Sequence, residues 1–113
     1  MIKMSSQTKQ LTMKNNPMTA EKVTQIMQEV KTILLKKNQD YGGASFDLGL
    51  NGNMVHLWDK IRRYRTLVEQ LPKKEQPNFE SIEDTLRDIM GYATIGLLIL
   101  GEQSTEKEKQ YES

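Results

Sequence analysis

Residues 89–100 read IMGYATIGLLIL, and as a helix this run is apolar on nearly every side. A helix without a polar face has to be covered all round. The chain has 113 residues, room for one domain. Two other helices of such a chain cover a third only in part, so the pattern predicts an all-α bundle of three main helices per chain, completed by homo-oligomerisation. Gly91 and Gly96 within the run would allow close helix contact, and they are assigned here to the centre of that oligomer.

The other helices are read from spacing. Val23, Ile26, Met27, Val30, Ile33 and Leu34 recur at helical intervals. Thr19 is a good N-cap, and Met18 with Val23 has the spacing of a hydrophobic staple. This predicts a first helix over about 19–38, with Lys36 and Lys37 in its last turn, where cations suit the helix dipole. Met54, Leu57, Trp58, Ile61, Tyr64, Val68 and Leu71 predict the buried stripe of a second helix over about 53–71, closed by Pro72. The third helix starts near Asn78 or Ser81 and runs to Leu100, with Gly101 as its C′ residue. Residues 1–17 are expected to form a flexible arm, 18–101 the helical domain and 102–113 a flexible charged tail.

Between the first two helices lies DYGGASFDLGLNGN, residues 40–53, which holds four of the seven glycines. It also carries Tyr41, Phe46, Leu48 and Leu50, too apolar for a free linker, so an ordered and partly buried loop is expected. No G-K-[ST] follows its glycines, which excludes a Walker A loop.

Lys plus Arg number 16 and Asp plus Glu 15, a formal net charge of +1, which argues against a dedicated nucleic-acid binder. There is no cysteine and one histidine, so thiolate and His-cluster metal sites are excluded. His56 has no Ser or Cys motif to serve and is expected at the surface. The longest apolar run is too short to span a bilayer and no secretory signal is visible, so a cytoplasmic location is expected.

Two clusters carry candidate chemistry. Glu80, Asp84 and Asp88 stand at i, i+4 and i+8 on one helix face, where like charges repel. Either a hard cation such as magnesium or a cationic side chain from the second helix must compensate. Glu80 and Asp84 also suit a helix N-terminus, with Ser81 to Asp84 fitting a capping box; Asp88 lies beyond that turn. In LWDKIRRYR, residues 57–65, Lys60, Arg62, Arg63 and Arg65 offer donors to phosphate oxygens. Trp58, Tyr41 or Phe46 could stack on a base.

Three blocks occur in a telling order: KNQDYGGASFDLG at 37–49, HLWDKIRRYRTLVE at 56–69 and ESIEDTLRDIMGYA at 80–93. Their K-x-x-D-Y-G, D-K-x-x-R and E-S-x-x-D-T-L-x-D patterns resemble the nucleotide modification associated domain family of phages and bacteria. That family is in turn similar to the MazG-like and dimeric dUTPase-type all-α pyrophosphohydrolases, helical oligomers whose carboxylates hold magnesium while a water attacks the phosphate chain. The E-x-x-D pair of those enzymes is not reproduced, because Ser81 precedes Asp84 and Thr85 precedes Asp88.

The resemblance implies a small phage-type protein that binds a nucleotide or nucleotide-derived metabolite without turnover. Sequestration of a host immune signal, such as a cyclic nucleotide or ADP-ribose derivative, is the role it suggests. Asp40, Tyr41, Gly42, Gly43, Phe46, Trp58, Lys60, Arg62, Arg63, Asp84 and Asp88 are the expected ligand contacts. The alternative is a magnesium-dependent pyrophosphohydrolase, with Glu80, Asp84 and Asp88 as ligands and Asp40 or Asp59 completing the set. A protein-inhibitor module using the basic second helix is a further alternative.

Overall fold

The computed structural model describes residues 16–74, 76 and 78–112, and its backbone there forms three long helices joined by short turns, with no strand. The expected arm falls almost wholly outside the described residues. Helix α1 spans Ala20–Tyr41, α2 Gly49–Gln70 and α3 Phe79–Glu112. Single 3₁₀ turns occupy Ala44–Phe46 and Leu71–Lys73.

Thr19 caps α1 as its sequence position implies, its hydroxyl accepting from the Lys22 amide at 3.2 Å. Met18 is largely exposed, so the staple expected with Val23 buries little. At the other end α1 runs past residue 38. Gly42 stops it at φ 60° and ψ −140°, a conformation open to glycine alone, with its amide on the Asn38 carbonyl at 2.7 Å. Lys36 and Lys37 therefore precede the last turn, which holds no basic residue. The expected 14-residue loop shrinks to a turn, because α2 begins at Gly49 and absorbs the remainder. Tyr41, Phe46, Leu48 and Leu50 are all exposed, contrary to the partly buried loop expected.

Asn78 is the N-cap of α3, its side chain accepting from the Ser81 amide at 3.1 Å. Ser81 is thus the third helical residue, and Asp84 lies one turn too far in to belong to a capping box. Gly101 does not end α3. The backbone stays helical to Glu112, and positive φ among the described glycines is confined to Gly42 and Gly49. The Glu- and Lys-rich sequence beyond Gly101 favours helix and carries the chain through it.

Helices α2 and α3 form an antiparallel hairpin, and α1 lies across α3. Val30, Ile95 and Ile99 are the buried hydrophobic residues of the described chain. The hairpin's seam is partly polar. Asn53, 6% exposed, donates its amide to the Tyr92 carbonyl at 2.7 Å and sits over Gly96, where a Cβ would come within 2.7 Å of its oxygen. His56, exposed as expected, stacks on Tyr92 with centroids 4.8 Å apart. Gly91 admits Leu34 of α1. Both glycines of the apolar run thus serve contacts within the chain rather than between copies. The seam also rotates α2 relative to the expected stripe: Met54, Trp58 and Ile61 are exposed, while Leu57, Tyr64, Val68 and Leu71 remain on the covered side.

Candidate functional site

The three motif blocks converge on one point, where α1, α2 and α3 meet. Lys37 from α1 and Lys60 from α2 both contact the carboxylate of Asp88 on α3, at 3.3 and 2.9 Å, one to each oxygen. One turn N-terminal on α3, Thr85 is buried at 2% exposure. Its hydroxyl donates to the Ser81 carbonyl at 2.7 Å and accepts from the Arg63 guanidinium at 3.3 Å. Lys60 and Arg63 are three apart on α2, as are Thr85 and Asp88 on α3, so each pair shares a helix face. The node brings two ammonium groups to one carboxylate, with the Arg63 guanidinium one turn away on Thr85.

Burial works to raise the Asp88 carboxyl. The hydrogen bond from Lys60 and the positive charges of Lys37 and Lys60 outweigh that effect and hold it below the usual carboxylate range. Asp88 is an anion already seated between two ammonium groups that remain partly open to solvent.

The other expected contacts divide. Asp40 and Tyr41 occupy the last turn of α1 rather than a loop, and Tyr41 follows Lys37 by four residues, on the same helix face. Gly42 and Gly43 form the exposed turn beyond it, with Phe46 in the following 3₁₀ turn. Trp58 and Arg62 are exposed on α2, roughly half a turn or more round from Lys60, so neither joins the node. Asp84 lies outside it and pairs with Arg87 at 3.3 Å. Arg87 also reaches Glu29 at 3.4 Å and Glu83 at 3.7 Å.

The expected Glu80, Asp84 and Asp88 cation site is not assembled. Among the described residues no three His, Asp or Glu side chains come together as metal ligands. The acid nearest to the role, Asp88, is compensated by lysines instead. A broad concavity of about 1010 Å³ opens along α1 between Ala20 and Ile33, walled by Arg87 and bearing Glu21 and Glu29. Arg87 is its cation, and it is already engaged by three carboxylates, so that surface is poorly suited to a phosphate.

Two members of the node were not singled out as ligand contacts from the sequence. Lys37 heads the K-x-x-D-Y-G block, and Thr85 precedes Asp88 by three residues in the D-T-L-x-D block. Reading each block for residues that share a helix face would have found both.

A sequence profile, nucleotide modification associated domain 1, matches residues 37–100, more than half of the chain. The chain belongs to that family. No curated protein and no solved structure gives a significant match. The match runs from Lys37 through the whole of α2 to Leu100, so the nucleotide modification associated domain contains every residue of the node, while most of α1 lies before it. Among the described residues no helix is long and apolar enough to cross a membrane.

Proposed function

We propose that this protein binds a nucleotide or nucleotide-derived metabolite through its phosphates, at the node of Lys37, Lys60 and Arg63. The observation that carries the reading is the charge imbalance there: two lysines from two helices share one carboxylate, and a third cation, Arg63, stands one turn away on the Thr85 hydroxyl. Ammonium and guanidinium groups are the donors phosphate oxygens require. Tyr41, exposed one turn beyond Lys37, supplies a ring on which a base can stack. Asp88 acts as the resident anion that keeps both lysines aimed when no ligand is bound.

In this reading the protein is a cytoplasmic, phage-type homo-oligomer that holds its ligand without turning it over, so that capture of a host signalling nucleotide is its role. The kinship with MazG-like enzymes drawn from motif order is part of this proposal. Among the described residues the donor set for a magnesium-dependent hydrolase is not gathered, and no step is assigned to a metal.

The test turns on a sign. An Asp88→Asn variant removes the competing carboxylate, so a nucleoside triphosphate or inorganic pyrophosphate should bind several-fold more tightly by calorimetry. Lys60→Met should weaken binding about tenfold or more, since a charge-assisted hydrogen bond contributes roughly 1.5–3 kcal/mol. Arg62→Met, on another face, should leave it unchanged. Ligand recovered after denaturation should be intact by mass spectrometry. Weaker binding in Asp88→Asn with magnesium present, or release of pyrophosphate, would overturn the reading in favour of the hydrolase.

A further inference from the structure

The face of the hairpin turned away from α1 is apolar and open. On α3, Leu86, Met90, Ala93, Leu97 and Leu100 follow one another at intervals of four, three, four and three. This is the spacing of a coiled-coil seam. Leu97 is 70% exposed, and Leu86, Ala93 and Leu100 are exposed with it. On α2, Met54, Trp58 and Ile61 repeat the four-three spacing, with Met54 and Trp58 each 63% exposed.

The two stripes lie on one side of the hairpin. On α3 the contacts to α2 are made by Thr85, Tyr92 and Gly96, and on α2 the matching contacts come from Asn53, His56 and Arg63. At 100° per residue, the exposed stripe stands about 100° round from the contact face on α3 and about 150° round on α2, in the same sense along the chain. In antiparallel helices offsets of the same sense lean to the same side. Helix α1 occupies the other side, through Leu34 at Gly91 and Glu29 at Arg87.

We infer that this surface is the dimer face: two copies pack hairpin against hairpin into a four-helix bundle, with α1 of each outside it and Trp58 at the interface. Two arguments favour a second copy as occupant. The stripe positions are uncharged from Met54 to Ile61 and from Leu86 to Leu100, with Arg65 following at the next position on α2, so the stretch between them suits an apolar partner. Its exposed side chains amount to on the order of 700 Å² of apolar surface, near the roughly 800 Å² per partner of a stable interface. A self-complementary patch of this kind is what a two-fold dimer uses. The inference stands independently of nucleotide binding, since the node lies on the hairpin's other flank.

Light scattering on the full-length chain should give twice 13.1 kDa at micromolar concentration. Trp58→Glu and Leu97→Glu should each give a single chain, while Leu35→Glu, exposed on α1, should leave the dimer intact. A second measurement needs no substitution. Trp58 is the sole tryptophan, so its emission should shift to shorter wavelength as the wild type is concentrated. A single-chain mass at all concentrations with invariant emission overturns the proposal, as does a dimer that both glutamate variants retain.

Discussion

Two glycines of α3 should respond to the same substitution with opposite sign. Glycine in a helix interior is about 1 kcal/mol less favourable than alanine. At Gly101 nothing lies within 4 Å of an added Cβ and the backbone is helical, so Gly101→Ala should stabilise by about 0.5–1 kcal/mol. At Gly96 an added Cβ would meet the Asn53 oxygen at 2.7 Å. Asn53 must then withdraw from the Tyr92 carbonyl, to which it donates at 2.7 Å. Separating a buried amide from its partner costs about 1–3 kcal/mol, and overfilling a packed contact costs a similar amount. Against the helix-forming gain, Gly96→Ala should destabilise by roughly 1–5 kcal/mol. In an Asn53→Ala background the clash is gone, and Gly96→Ala should become stabilising. Urea titrations followed by circular dichroism, at one fixed protein concentration, measure all five chains. Wild-type stability in Gly96→Ala, or destabilisation in Gly101→Ala, would refute the reasoning. The second result would mean that α3 ends at Gly101 with positive φ.

The turn after α1 makes a related prediction. Gly42 holds φ 60° and ψ −140°, so Gly42→Ala should cost about 1–3 kcal/mol in strain although nothing crowds the position, visible as a lower urea midpoint. Asp88 predicts an acid-side dependence. Its folded-state carboxyl lies below the usual range, so the stabilisation it contributes is complete above the unfolded value, about pH 4, and is lost as pH falls through the lower folded value. Unfolding midpoints of wild type and Asp88→Asn should therefore diverge most above that pH and converge in stronger acid.

The parts of the fold legible in the sequence are those set by local chemistry. Thr19 announces its cap, and the period of α1 and the apolar run of α3 announce helices. The nearly all-round apolarity of 89–100 shows in the structure as a helix packed on two sides and bare on the third. What was not legible depends on partners distant in sequence. Hydropathy places Met54, Trp58 and Ile61 inside, whereas the hairpin turns inward Asn53, whose polarity is satisfied by a carbonyl 39 residues away. A glycine-rich segment reads as a loop because glycine marks both turns and close contacts. Gly52 and Gly49 belong to α2 instead, and Gly91 and Gly96 admit Leu34 and Asn53. At the site, the Glu80, Asp84 and Asp88 row called for a metal cation or a cationic side chain of the second helix; Lys60 of that helix meets Asp88, joined by Lys37, a residue read only for its place at the end of α1.

The two faces of the hairpin explain each other. Gathering Lys37 and Lys60 around a single carboxylate, with Arg63 beside it on Thr85, leaves the node with excess positive charge, and ion pairs this open to solvent contribute little net stability. With Val30, Ile95 and Ile99 as its buried hydrophobic residues, the described chain has little core from which to offset that cost. Burying the Trp58 and Leu97 stripes against a second copy supplies apolar area on a surface that the node does not use. The hairpin can then keep a charged, solvent-accessible cluster on one flank because its cohesion comes from the other. It follows that disrupting the apolar face should lower the stability of the whole chain, whereas neutralising a single lysine of the node should leave the bundle folded and alter only what it binds.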